Sequence, residues 1–219
     1  MRKLLLLAAF VTACGSDSNG GGLSGAVGGR SFSPLEVRAI PAGSGTTPCQ
    51  VPLGLDTVDV GVKAVAIEVT SYADACGDFA TSQCRLHQNA QSVTILFARL
   101  NAIPPAAEPT LQPGTYTVYA SPATAIPDAS NPGLLTVAFA QALATDATCV
   151  GAPSPSVQGG TLRLDGVGGP ITGHVSLTFQ DGSSLAGDFS APICAGVSPD
   201  VCSLATAQAL CTLPPACVP

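Results

Sequence analysis

Charge is scarce in this chain: only 10% of its 219 residues are Asp, Glu, Lys or Arg, against about a quarter in an ordinary soluble domain. Basic residues are scarcer still, eight against fourteen acidic ones. The resulting net charge of -6 leaves no basic surface to neutralise phosphates, which excludes nucleic acid as a partner. Tryptophan is absent and the one methionine is residue 1. No C-x-x-C occurs, so the spacing of a thioredoxin-like redox motif or a zinc ribbon is missing. No apolar run approaches the roughly twenty residues that a membrane-spanning helix needs. Nucleotide motifs are missing too. Lys63 is the sole lysine beyond the leader and lies in no Walker motif. Gly166-Val167-Gly168-Gly169 is followed by Pro170 and then Ile171, where a dinucleotide fingerprint needs its third glycine. What remains is a chain that is 46% hydrophobic, with 24 Gly and 19 Pro, a composition that suits short strands joined by turns and not a helical bundle.

The leader is the most informative segment. Arg2 and Lys3 form a positive region, residues 4–10 an apolar one, and Val11-Thr12-Ala13 supplies the small residues that a signal peptidase accepts. Cys14 follows, and Val11-Thr12-Ala13-Cys14 resembles the lipobox of bacterial lipoproteins. The resemblance implies that the sulfur of Cys14 is diacylated and that Cys14 becomes the mature N-terminus. Two or three acyl chains make a stable anchor, whereas one binds marginally at about 0.8 kcal/mol per buried CH2. The polar, glycine-rich stretch after Cys14 cannot bury apolar surface and reads as a tether. In the sorting scheme of such lipoproteins, Gly15 in place of Asp after the lipidated Cys favours the outer membrane. The division is therefore a signal peptide over 1–13, the lipidated Cys and tether over 14–29, and a β domain over 30–219.

The body reads as all-β: a single antiparallel sandwich or barrel-like domain, stapled by disulfides, with a short C-terminal helix or irregular tail. Candidate strands cover 35–40, 63–72, 92–101, 114–121, 134–143, 160–165, 171–180 and 185–194, each β-branched or aromatic in character and bounded by turn residues. In Val65-Ala66-Ile67-Glu68-Val69-Thr70 large apolar residues alternate with small or polar ones, the pattern of a half-buried strand. Pro104-Pro105, Pro109 and Pro113 mark a stiff connection.

One hairpin can be read in register. Ile171, Gly173, Val175, Leu177 and Phe179 share one face of a strand; Leu185, Gly187, Phe189, Ala191 and Ile193 share one face of the next. Opposed residues lie on the same side of a sheet, so the loop between them must have odd length. A three-residue Asp181-Gly182-Ser183 loop sets Phe179 opposite Leu185, Val175 opposite Phe189 and Ile171 opposite Ile193.

Nine cysteines become eight once Cys14 is set aside, an even number that in an exported chain reads as up to four disulfides among Cys49, Cys76, Cys84, Cys149, Cys194, Cys202, Cys211 and Cys217. Cys76 with Cys84 is the most plausible local pair, and Cys149 with Cys194 a second. Ser198-Pro199-Asp200 reads as the start of a helix reaching about residue 210. Along such a helix Cys202 and Cys211 lie about 13 Å apart, beyond bonding reach, and take other partners. Without a continuous helix they can pair with each other.

Residues with chemistry are few. His87 and His174 have no orienting partner visible in the sequence. Gly182-Ser183-Ser184-Leu185-Ala186 misses the nucleophile elbow at its last position. Asp56 with Asp59, and Asp74 with Asp78, carry oxygen ligands but match no EF-hand loop, so solvated loop acids are the reading and no metal or other cofactor is expected. Tyr72, Tyr116 and Tyr119 could form a glycan-binding patch, although alternation sets Tyr116 and Tyr119 on opposite faces.

Scattered segments carry a second resemblance: 27–34, Gly114-Thr115-Tyr116-Thr117-Val118, 172–179 and 185–194 are similar to predicted lipoproteins of myxobacteria and related bacteria. It implies an envelope location and a β fold, and brings no catalytic residue. The leading expectation is a non-enzymatic, lipid-anchored cell-envelope protein, structural or binding an envelope protein or glycan. A carbohydrate- or peptidoglycan-binding module is the first alternative. A hydrolase whose acids, Asp74, Asp78 or Asp188, converge only in three dimensions is the second.

Overall fold

The computed structural model describes residues 22–53, 56–80, 85–121, 126–128, 130–149, 151–152, 155–197, 201–204 and 216–219. The leader, Cys14, Cys84, Cys211 and the helical reading beyond residue 204 lie outside them. The described elements, in chain order, are β1 (Ser24–Val27), β2 (Arg30–Phe32), β3 (Glu36–Gly43), β4 (Cys49–Leu53), β5 (Asp56–Thr70), α1 (Ala75–Ala80), β6 (Arg85–His87), β7 (Gln91–Asn101) and β8 (Gly114–Val118). They continue with β9 (Ile126–Asp128), β10 (Asn131–Thr145), β11 (Gly151–Ala152), β12 (Val157–Gly166), β13 (Ile171–Phe179), β14 (Ser184–Ala191), α2 (Val201–Leu204) and β15 (Ala216–Val218).

The fold is all-β. Two antiparallel sheets pack face to face: one in the order β2-β1-β14-β13-β12-β8, the other β11-β10-β7-β5-β3, with β4 and β9 paired to β5 and β10. The two-residue alternation of the sequence builds the layer between them. Val65, Ile67, Val69, Ile95 and Phe97 from one sheet meet Leu162, Val175, Leu177, Phe179 and Leu185 from the other, all completely buried.

All eight candidate strands are present, as β3, β5, β7, β8, β10, β12, β13 and β14. The strands that patterning missed are the short ones, with too few residues for an alternation to be seen. β1 is instructive because it falls inside the stretch assigned to the tether. Leu23 and Val27 are buried and β1 pairs with β14, so the folded domain begins ahead of residue 30.

The alternation in β5 also has a different outcome from the half-buried strand it suggested. Ala64, Glu68 and Thr70 point away from the inter-sheet core, yet none is more than 4% exposed. Part of that outer face carries a second apolar cluster, in which Val62, Ala64, Ala98 and Val137 pack with Cys49 of β4 and Val201 of α2.

The β13–β14 hairpin has the odd loop length that the two apolar rows require, but its pairs are shifted by two residues. Leu177, not Phe179, faces Leu185; Gly173 faces Phe189; Ile171 faces Ala191. Glycine chemistry explains the shift. The loop is Gln180-Asp181-Gly182, closed by the Phe179 N–H donating to the Ser183 carbonyl (2.9 Å) and the Gly182 N–H to the Phe179 carbonyl (3.0 Å). Its last residue has φ +82°, the left-handed position that ends a three-residue hairpin loop and that glycine fills without strain. The Asp181 carboxylate, accepting from the Ser183 N–H and Oγ, fixes the turn and holds its own pKa below the usual carboxylate value. Gly182→Ala is expected to cost about 1 kcal/mol, the penalty of a Cβ in the left-handed region; a thermal melt unchanged from the parent would contradict this turn. Ile193 leaves the apolar row altogether. Pro192 ends the pairing, and the Cys194 N–H donates to the Ala39 carbonyl of β3, which leaves the Ile193 side chain 45% exposed.

The described cysteines pair across the fold, not locally. Cys49 bonds Cys202, Cys76 bonds Cys194 and Cys149 bonds Cys217. These pairs replace both expected ones, Cys76 with Cys84 and Cys149 with Cys194. Strand ends set the choice: Cys194 follows β14 onto β3, and α1, which carries Cys76, packs there because the Glu36 carboxylate of β3 accepts the Ala75 N–H (2.8 Å). Cys202 lies in α2 and reaches β4, so the pairing of Cys202 with Cys211 does not occur.

Candidate functional site

Four of the titratable side chains singled out by sequence, Tyr72, Asp74, Asp78 and His87, gather on the outer face of the β5 sheet, where α1 and β6 cover it. Asp78 on α1 is the hub. His87 Nε2 lies 3.1 Å from its Oδ2, Arg85 Nε lies 2.9 Å from its Oδ1, and Arg85 Nη2 also binds Asp74 at 2.9 Å. Gly77 has no side chain where this last bridge crosses the helix; a Cβ there would collide with the Asp74 carboxylate and the Arg85 guanidinium. The His87 ring stacks on Tyr72 with centroids 3.7 Å apart. Thr145 Oγ1 donates to the His87 carbonyl and accepts from the Ala90 N–H, tying the segment to β10. The disulfides Cys76–Cys194 and Cys149–Cys217 hold the same region at two points.

Glu68, on β5 beneath this cluster, is 4% exposed and accepts a 2.5 Å hydrogen bond from Thr94 Oγ1. Burial pushes its pKa up to about 7, against hydrogen bonds from Thr94 and Ser92 that lower it, and the Asp78 charge adds to the rise. Burial likewise raises the Tyr72 phenol, with the negative charges of Glu68 and Asp78 contributing. A buried acid near neutrality, a histidine and a carboxylate are parts that general acid–base chemistry uses. The cavity beside Tyr72 and His87 measures about 20 Å³, enough for about one water.

Both histidines have the partner that the sequence did not reveal. His174 sits on the outer face of the other sheet, as alternation required, and its Nδ1 lies 2.9 Å from Asp188 Oδ1 on the facing strand. Arg163 lies 3.8 Å from the same carboxylate and binds Asp165 at 3.0 Å. Asp188 is thus on the opposite sheet from Asp74 and Asp78, and the three acids do not converge. Asp56 and Asp59 stand exposed on β5 opposite Leu53 and Gln50. Among the described residues no group of three His, Cys, Asp or Glu is placed to hold a metal ion. The three tyrosines are also separated: Tyr72 stacks on His87, Tyr116 packs against Phe97 at the core (4.4 Å), and Tyr119 bridges to Phe139 on β10.

A larger cavity, about 400 Å³, opens at the end of the sandwich where β7 leads into the proline-rich segment 102–113 and on to β8. Arg99, 3% exposed, forms part of its wall. Its Nη1 donates to the Thr110 carbonyl (2.8 Å) and its Nη2 to Asp128 (3.3 Å). Asn101 ties the segment back through the Ala107 carbonyl and the Ile103 N–H, and Glu108 binds Lys63 Nζ (2.9 Å) and the Gly45 N–H (2.6 Å). No family model, curated protein or solved structure matches this chain.

Proposed function

We propose that this chain is a lipid-anchored protein of the cell envelope, attached through Cys14 to a membrane, most simply the outer membrane, and that its sandwich serves there as a binding domain. The observation that carries the envelope reading is the set of cross-links. Cys49–Cys202, Cys76–Cys194 and Cys149–Cys217 join residues 153, 118 and 68 positions apart, a framework that belongs to an oxidising compartment outside the cytoplasm. The leader supports it, since a signal segment that ends Val11-Thr12-Ala13-Cys14 leaves the one cysteine outside the even set at the position a lipobox requires. The sandwich supports the binding part: its end cavity of about 400 Å³ lies within the size range of small-molecule pockets, whereas the acid–histidine cluster has room for about one water.

The test is metabolic labelling with radioactive palmitate in a bacterial host, followed by intact mass of the membrane fraction. The parent chain is expected to take label and to begin at Cys14, and Cys14→Ser to take none and to retain residues 1–13. A parent chain that is unlabelled, or whose mature form begins elsewhere, would end the anchor reading.

A further inference from the structure

We infer that the cavity under segment 102–113 is a binding site for a neutral saccharide of one or two rings. The inference rests on the reading of the sandwich as a binding domain and is independent of the anchor.

The charges at this end of the sandwich are already spent on one another. Arg99 is neutralised by Asp128, and Lys63 by Glu108. Arg99, Asn101 and Glu108 moreover use their polar atoms to hold segment 102–113 and the neighbouring turn in place. An ionic ligand entering here would lose its hydration and meet no uncompensated opposite charge, which is costly. A neutral ligand carries no such penalty.

Two lining side chains stand apart from this frame. Gln112 and Asn131 border the cavity, and their carboxamides make no side-chain hydrogen bond to a described residue. A primary amide both donates and accepts, which matches a hydroxyl group, itself donor and acceptor. Ile103 and Leu134 complete the wall with apolar surface, suited to the C–H face of a sugar ring. A fixed frame, two amides unpaired among the described residues and an apolar wall are the composition of a small-molecule site: mostly preformed, with a few polar groups to set orientation.

The test uses the mature full-length chain in a polyoxyethylene detergent, which contains no sugar. Saturation-transfer NMR would be recorded with glucose, N-acetylglucosamine and maltose, and with glucuronate and glucosamine as charged relatives of the same ring. At least one neutral sugar is expected to bind with Kd of about 1 mM or tighter, and the charged relatives about tenfold more weakly. Gln112→Leu at an exposed position and Asn131→Leu at a half-buried one should each weaken binding by about tenfold, with thermal melts that show both variants folded. Absence of saturation transfer from every neutral sugar at about 10 mM would overturn the inference. Tighter binding of glucuronate would do so too, by showing that the Arg99 charge is available to an anion. Binding that both variants leave intact would place the sugar elsewhere and equally refute this site. None of these outcomes bears on palmitate labelling, so the saccharide and the anchor stand or fall separately.

Discussion

Glu68→Gln is expected to stabilise the domain by about 3 kcal/mol near pH 8 and to change nothing near pH 4. The carboxyl group of Glu68 has a pKa of about 7 in the fold against 4.5 when exposed, a difference of roughly 2.5 units at 1.36 kcal/mol each. Between those two values the folded protein holds a proton that the unfolded chain has released. Stability therefore falls as pH rises through that window and stays low above it, once the native state must carry the buried charge. The groups around Glu68 offer little relief. Arg38, paired with it across β3 and β5, turns its guanidinium to Glu36 (2.6 Å); Ser92 and Thr94 of β7 supply neutral hydroxyls; Asp78 on α1 adds a second negative charge and Tyr72 stays protonated. Glutamine keeps an acceptor for Thr94 and removes the charge. Urea unfolding at several pH values would read the effect, and a variant that keeps the parent's downward slope between about pH 5 and 7 would show that Glu68 is not its source.

Loss of the Cys49–Cys202 bridge is expected to be costlier still. The bond closes a loop of 153 positions, the longest among the described disulfides, and in the chain-entropy model such a loop is worth about 5 kcal/mol of restricted freedom in the unfolded chain. Strain and residual unfolded structure reduce such figures in practice, so a loss of about 4 kcal/mol is expected for the double variant Cys49→Ser, Cys202→Ser. The local consequence should be sharper than the global one. Val201 and Cys202 pack on the apolar outer patch around Val62, Ala64 and Val137. With α2 released, hydrogen exchange is expected to rise at Val201–Leu204 and at the paired residues of β4 before it rises in β13. A variant that unfolds within about 1 kcal/mol of the parent would mean that packing alone holds this layer.

What the sequence made legible follows the length of its patterns. Strands of eight or more residues, such as β5, β7 and β13, repeat their alternation often enough to be read, and the layer between the sheets follows from it. The hairpin register was within reach. Gly182 is the residue that can take the left-handed position, and placing it last in the loop puts His174 opposite Asp188; the register expected from a 181–183 loop puts Ser190 there instead. The partner of His174 was thus hidden by a single turn residue. The partner of His87 was hidden for another reason. Asp78 reaches it from a six-residue helix with no apolar periodicity, docked by the Ala75 N–H on Glu36 and by the Cys76–Cys194 disulfide. Disulfide partners are separated by whole sheets, and nothing local marks them. The burial of Glu68 also escapes local reading, because it comes from covering segments placed over the second face of β5.

The three bridges also determine what a proteolytic nick does. Cys49 is tied to Cys202 and Cys149 to Cys217, so a single backbone cut anywhere from residue 50 to residue 216 leaves two fragments joined by sulfur. Such a molecule migrates as one band until thiol is added. If the chain is held at Cys14, the clipped portion stays at the membrane. The exceptions lie ahead of Cys49, at the Gly28-Gly29 turn and the exposed turn over 45–47, where a cut parts the whole cross-linked body from the leading residues and leaves only sheet pairing and packing to hold it.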